Sequence, residues 1–474
     1  MDKRAVDSRV RILHAAVATA PTYLTREQFA SVAEVSLRTL DHHLAALRTD
    51  RLLDAGPARV LGSAFGYALV VAIRSQTSHA ALIDPHGNVV HSVQGREVSN
   101  LRALAPSDLL EHVQVLVRRL LATRTRGRGR SGPVDLIGIA VVLPSPLRQS
   151  GRPAGQSMHA DWRNARRTKP LARAFAEALS APVERVHVIN DGHVHALATA
   201  HDRSRELTAL GLQRPRESQG DESGPGYREG LSLTLHLGGV ISAGVVLLAA
   251  ERVAGRPGTR LGFVESRLLS GGHSMGGEIA HLPLSGQWFP TINQRSAHAD
   301  VAPMDADRKC FCGALGHLQA HASDTAVAAR VRHLDRRALH DVLLGDEIED
   351  PDVAAALRDV GFLLGLVMMS PLKLLDPKAF HLTGLIARDE TAAGVHDGLT
   401  ERGWSGTLPE ILLPPRGLAG QQHLGVRGAG LIVYREWAYR KFERIVRTGQ
   451  TTGRRQDKAD RPQPITFSYR YGAR

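Results

Sequence analysis

The sequence predicts an α/β protein in which a small N-terminal helix-turn-helix unit precedes two α/β lobes. Three observations carry that expectation. Residues 7–47 hold three short helical patterns parted by turn signals. Two later stretches each open with strand, turn, strand, and the first passes on into alternating helices and strands. A polar segment rich in Gly, Pro, Glu and Ser, 211–227, falls between them and reads as a disordered surface loop. The expected boundaries are 1–60 for a winged helix-turn-helix, 61–200 and 201–447 for the two lobes, and 448–474 for a basic, disordered tail.

The N-terminal unit begins with Val10, Ile12, Leu13, Ala16 and Val17 at helical spacing, ended by Pro21 and Thr22. Thr25 with Gln28 three residues on reads as a capping box for a short helix that carries Phe29 and Val32 inward. Ser36 then caps a third helix over 37–47, with Leu40, Leu44 and Leu47 on its core face. Its other face is read as Arg38, Thr39, His42, His43 and Arg48. A basic, uncovered third helix fits the major groove, where Arg and Thr reach base edges and phosphates. The candidate DNA contacts are Ser36, Arg38, Thr39, His42 and His43. A protein-docking bundle has the same pattern; the basic third helix favours DNA. Residues 52–56 read as the start of a wing or a linker.

In the first lobe, 67–74, 78–84 and 89–94 read as strands, the last two joined by the turn Pro85-His86-Gly87-Asn88. An amphipathic helix follows over 107–121, then a long apolar strand over 134–143. A helix over 170–179 and a strand over 186–189 lead to Asn190-Asp191. In the second lobe, 231–237 and 243–249 read as strands joined by Gly238-Gly239-Val240-Ile241-Ser242. Residues 351–375 read as a long buried helix, 380–386 as a strand and 425–439 as a final helix.

Composition narrows the function classes. A net charge of +13 favours an anionic partner, nucleic acid first. The Arg-rich stretch 118–130 and the tail from Arg435 supply much of it, and each alone also reads as a solvated surface. The apolar run 360–375, interrupted by Lys373, is too short for a membrane span. No apolar signal-type run follows Met1-Asp2-Lys3-Arg4, so a cytoplasmic protein without membrane partners is expected.

The chain has two cysteines, Cys310 and Cys312, with His317 five residues on and His281 upstream. Two thiolates and two imidazoles close a tetrahedral shell around Zn²⁺, which accepts both sulfur and nitrogen. Glycines around them let a tight loop fold over an ion. The alternative is chance proximity among 23 histidines. The expected cofactor is a structural zinc held by His281, Cys310, Cys312 and His317.

These pieces in this order resemble the ROK family of sugar-responsive repressors and sugar kinases, over almost the whole chain. Gly277-Glu278-Ile279-Ala280-His281 followed by Cys310-Phe311-Cys312-Gly313-Ala314-Leu315-Gly316-His317 resembles the family pattern Gly-Glu-x-Gly-His, then Cys-x-Cys-Gly-x-x-Gly-Cys-x-Glu. The strand ending at Leu143-Pro144 and the pair Asn190-Asp191 are similar to two further family features. The resemblance implies an actin-like, hexokinase-type two-lobed fold with ligand in the cleft. It implies sugar contacts at Asn190, Asp191, Glu278 and His281, with His281 shared between sugar and zinc.

The departures select among the family's functions. Where ATP-using members carry Asp-x-Gly-Gly-Thr, this chain has Ala72-Ile73-Arg74-Ser75-Gln76. The family's second phosphate turn, Gly-Thr-Gly-Ile-Gly, is Gly238-Gly239-Val240-Ile241-Ser242. Losing an acid and several glycines removes close backbone approach to phosphate. His317 stands for the family's third cysteine, and Gln319 for its acid. The expectation is a non-enzymatic, DNA-binding transcriptional repressor, a homodimer or dimer of dimers on a double-stranded operator, with a sugar effector. The alternatives are a sugar kinase with an appended DNA-binding domain and a ligand-independent DNA-binding protein.

Overall fold

The computed structural model describes residues 26–33, 35–49, 66–73, 78–95, 103–126, 135–147, 169–213, 230–250, 264–268, 279–295, 300–414 and 424–437, apart from positions 86, 146, 378 and 435, together with isolated residues elsewhere. The expected wing and tail lie outside them, except Leu53. Among the described residues the N-terminal unit shows α1 (Arg26–Val32) and α2 (Leu37–Thr49); most of the helix expected over 7–18 lies outside them. Ser36 caps α2 as expected, its Oγ accepting the Thr39 backbone N–H at 3.1 Å. Phe29, Leu40, Leu44 and Leu47 are buried together with Ile12 and Ala15.

The first sheet runs in the order β3 (Val89–Gln94), β2 (Ser78–Ile83), β1 (Tyr67–Ile73), β4 (Leu136–Leu143), β5 (Val186–Asn190). The β1–β2 and β2–β3 pairs are antiparallel; β1–β4 and β4–β5 are parallel. β1 and β4 are unbroken apolar runs because both of their faces are covered. Leu69, Val71 and Ile73 face α3 (Pro106–Arg126) and α4 (Leu171–Ala178), meeting Leu109, Val113, Leu116 and Phe175. Ala68, Val70 and Ala72 face the other way.

The second sheet repeats this topology strand for strand. Its order is β8 (Val264–Leu268), β7 (Ile241–Ala250), β6 (Gly230–Leu237), β9 (Ala379–Thr383), β10 (Ile411–Leu412). The β6–β7 and β7–β8 pairs are antiparallel, and β6–β9 and β9–β10 parallel. Leu233, Leu235, Leu237, Phe380 and Leu382 pack on the helical layer of α10 (Pro351–Leu375) and α11 (Asp389–Glu401). In chain order, four shorter helices precede α10: α6 (Trp288–Arg295), α7 (Leu318–Ala322), α8 (Asp324–Arg330) and α9 (Arg336–Leu344). α10 is long and apolar enough to cross a membrane, yet 72% of its most apolar window is buried inside the protein. α10 and α11 close on one another at glycines. A Cβ on Gly361 would lie 2.0 Å from Thr391 O, and one on Gly398 2.2 Å from Phe362 O.

Two helices cross between the lobes. The segment after Asp191 is a 23-residue helix, α5 (Asp191–Gln213), which runs through the boundary expected at residue 200 and takes in 211–213. Its buried face meets the second sheet, with Ala196, Leu197 and Ala200 against Val246. α12 (Leu424–Tyr434) returns from the second lobe to the first. Val426, Ala429, Val433 and Tyr434 join Val70, Ala72, Ile83 and Val142 in one buried cluster. The Tyr434 hydroxyl lies 3.0 Å from Gly66 O and 2.9 Å from Ile83 O. The N-terminal helices belong to that same cluster, so the unit is packed onto the first lobe.

Candidate functional site

Two chain segments build the cysteine–histidine loop. Residues 279–284 run antiparallel to 316–319: Leu284 N–H donates to Gly316 O (2.8 Å), Leu318 N–H to Leu282 O (3.0 Å) and Gln319 N–H to Ala280 O (2.8 Å). This pairing sets His281 beside His317. The cysteines sit on a tight knuckle, in which Cys310 N–H donates to Ala314 O and Gly313 N–H to Cys310 O. Gly313 (φ +98°) and Gly316 (φ +64°) occupy left-handed conformations that a side chain would strain.

One ligand atom from each of His281, Cys310, Cys312 and His317 lies within 4.8 Å of all the others. The two imidazole Nδ1 atoms are 3.3 Å apart. Cys312 Sγ is 3.2 Å from His317 Nδ1, and Cys310 Sγ is 3.7 Å from His281 Nδ1. Tetrahedral zinc, with bonds of about 2.3 Å to sulfur and about 2.0 Å to nitrogen, puts nitrogens about 3.3 Å apart and nitrogen and sulfur about 3.5 Å apart. The donor set and its spacing therefore fit a zinc ion. Burial, and then the neighbouring His317, hold the His281 pKa below the ordinary imidazole value, which favours the neutral ring that a metal requires. Burial pushes the Cys310 thiol up to about 11, so a bound ion displaces its proton.

The resemblance-implied sugar contacts are placed unevenly. Asn190 ends β5 and Asp191 opens α5; both are buried. Asn190 Oδ1 accepts the His193 N–H at 3.3 Å, and Asp191 Oδ1 the Gly192 N–H at 2.7 Å. A Cβ on Gly192 would stand 2.8 Å from Ser242 Cβ and from Ala243 O, so the start of α5 abuts the start of β7. Glu278 lies outside the described residues, as do Arg74, Ser75 and Gln76. Ala72, which the resemblance sets against the acid of ATP-using members, is buried in β1.

Sequence reasoning missed the face that α5 lays on the second sheet. Thr199 and Thr234 hydroxyls are 2.8 Å apart, and His236 Nδ1 is 3.3 Å from Thr383 Oγ1. The His195 and His236 rings stack at 3.7 Å. The signal was the strict alternation Leu231-Ser232-Leu233-Thr234-Leu235-His236-Leu237. It gives β6 one apolar face and one polar one.

The candidate DNA face divides. Ser36, Arg38 and His42 are exposed, and Thr39 is half-buried. His43 is buried, which corrects its placement on the outer face. It follows Leu40 by three residues and precedes Leu47 by four, so a 3.6-residue period puts it on the core stripe. Arg9 Nε donates to His43 Nδ1 at 3.2 Å. Burial first, then Arg9 and His42, lower its pKa.

No family model matches the sequence, and no curated protein matches it. Solved structures do. One is a ROK family transcriptional regulator described as a homolog of the E. coli MLC protein; it is 15% identical, with a TM-score of 0.58 over 93% of this chain and 99% of that one. Others are a ROK family glucokinase from Streptomyces griseus in complex with glucose and AMPPNP (14% identity, TM-score 0.49, 77% of this chain and 99% of that one) and a ROK hexokinase from Thermus thermophilus (21%, 0.45, 78% and 99%). The fold is the two-lobed, hexokinase-like α/β fold of the ROK regulator.

Proposed function

We propose that the chain is a DNA-binding transcriptional regulator, a repressor, whose two lobes form a sugar-sensing domain ordered by a structural zinc. The observation that carries this reading is the outer face of α2. Arg38 and His42 are exposed on a helix capped by Ser36, on a unit whose core is continuous with the first lobe. The fold match supports it. The match covers 93% of this chain and 99% of that regulator. The net charge of +13 supplies attraction to phosphate. The reading includes a homodimer, since a pseudo-palindromic operator needs two recognition helices about one helical turn apart. The assignment as a non-enzyme rests on Ala72 and on the Gly238–Ser242 turn, where the acid and several of the glycines of a phosphate site are replaced. Asn190 and Asp191 then act as hydrogen-bonding groups toward a polyhydroxyl ligand, not as a catalytic base.

The test is selection of bound fragments from random-sequence DNA, then binding measured by fluorescence anisotropy. Arg38→Ala with His42→Ala is expected to weaken the selected site at least tenfold and leave the circular dichroism spectrum unchanged. A double variant that binds like wild type refutes the assignment of α2. Absence of any enriched sequence refutes the regulator.

A further inference from the structure

We propose that Gln319 is a positioning residue that locks the Gly238–Ile241 turn to the metal loop, so that metal occupancy sets the order of that turn. The Ile241 backbone N–H donates to Gln319 Oε1 at 2.7 Å, and Gln319 Nε2 donates to Gly239 O at 2.7 Å. The side chain is buried, so both bonds are made away from water. A primary amide accepts through its oxygen and donates through its nitrogen at once, without charge. A glutamate in its place would accept from Ile241 but face Gly239 O with a second acceptor. The Gln319 backbone N–H meanwhile donates to Ala280 O, beside the ligand His281, and His317 stands two residues before it.

The path is continuous in both directions. Gly238 O accepts the Asp324 N–H at 3.3 Å at the start of α8, so three backbone groups of the turn are tied to the 319–324 segment. On the far side, Ser242 lies against Gly192 at the start of α5, beside Asp191. The turn is thus held between the metal loop and the Asn190–Asp191 pair. A Gln319 oxygen occupies the Ile241 N–H, a donor that a phosphate-binding turn offers to its ligand. The amide adds the donor to Gly239 O that a carboxylate lacks, and so ties the turn on both sides from within the chain.

The inference rests on the metal reading of the loop, and the experiment separates the two. Zinc content of the full-length protein is measured first by elemental analysis. Amide hydrogen exchange is then followed at Ile241, with Leu235 in the same sheet as internal control, in zinc-loaded and chelator-treated wild type, Gln319→Ala, Gln319→Glu and Gln319→Asn. In the loaded protein, Gln319→Ala and Gln319→Glu are expected to speed exchange at Ile241 about tenfold or more relative to Leu235, the change in an equilibrium that about 1.4 kcal/mol produces. Removing zinc from wild type is expected to do the same, and to add little in Gln319→Ala. Gln319→Asn is expected to behave as Gln319→Ala, because the shorter chain does not span both partners. Wild-type exchange at Ile241 in loaded Gln319→Ala overturns the lock. Exchange that responds to Gln319→Ala but not to zinc overturns the coupling and leaves the metal site standing. A protein that binds no zinc overturns the metal reading, and the coupling with it. Variants that lose protection at Leu235 as well as Ile241 have unfolded the sheet, and that result overturns a role confined to positioning.

Discussion

Replacing His317 by alanine removes one of four converging donors, and the size of the effect follows from the geometry. His317 Nδ1 lies 3.2 Å from Cys312 Sγ and 3.3 Å from His281 Nδ1, at the edges of a tetrahedron. Without it, three donors remain and water takes the fourth position. Loss of a supporting group one layer out from a metal already lowers affinity about 10- to 100-fold, so loss of a direct ligand is expected to lower it at least about 100-fold. With zinc in excess, a 100-fold weaker site gives up about 2.7 kcal/mol of the stabilisation that binding confers. Competition titration against a chromophoric chelator reads the affinity directly. The affinity also depends on pH with a definite sign. The free Cys310 thiol titrates near 11 and must lose its proton to bind, so affinity falls as pH falls. His317→Cys supplies a thiolate at the same position and is expected to retain zinc. If His317→Ala binds zinc with wild-type stoichiometry and affinity, His317 is not a ligand.

Two further predictions concern stability. His187, half-buried on β5, has its pKa lowered to about 4 by burial first and the charge of Arg440 second, against 6.5 when unfolded. Between those values the unfolded chain holds a proton that the folded one does not, so stability falls as pH drops from 6.5 to 4, by up to about 3 kcal/mol. Urea titrations across that range are expected to show a shallower pH slope for His187→Gln than for wild type; an unchanged slope refutes the assignment. Gly361→Ala puts a Cβ 2.0 Å from Thr391 O, so α10 and α11 must part, at about 1–3 kcal/mol after the gain in helix propensity. Thermal melting is expected to drop, with Leu374→Ala on the exposed end of α10 as a neutral control.

Much of the fold was legible because its strands obey simple rules. Val89–Gln94 and the Pro351–Leu375 helix were read at their observed bounds, the one from the turn that precedes it, the other around the apolar run 360–375. The convergence of His281, Cys310, Cys312 and His317 was legible because two cysteines and spaced histidines admit few chemistries. α5 was not read, because its buried face is made of His195, Thr199 and small alanines, whose partners are the polar alternate residues of β6. Its packing is invisible without knowing which sheet it meets. Residue 200, the expected boundary, falls inside α5, whose Val194 packs with the first lobe and whose Ala196, Leu197 and Ala200 pack against Val246 of the second. His43 is polar, yet its spacing from Leu40 and Leu47 marks the core side, and there the period decides its burial.

The crossing of α5 and α12 bears on how a regulator built this way transmits a signal. A ligand shifts an equilibrium only by binding two arrangements with different affinity. Those arrangements must therefore differ where the ligand site and the DNA-binding unit share structure. A Cβ on Gly428 of α12 would lie 1.9 Å from Val194 O of α5, so these helices touch backbone to backbone three residues from Asp191. α12 in turn shares its buried cluster with the first sheet, with Phe29 and Leu40 of the N-terminal unit, and with the partly buried Val35 between α1 and α2. A small turn of α5 at its Asp191 end cannot be absorbed at a contact that close; it moves α12. From there the route to α2 runs through packed apolar side chains, which re-pack between discrete states instead of deforming smoothly. The coupling element of the proposed regulator is accordingly the α5–α12 crossing.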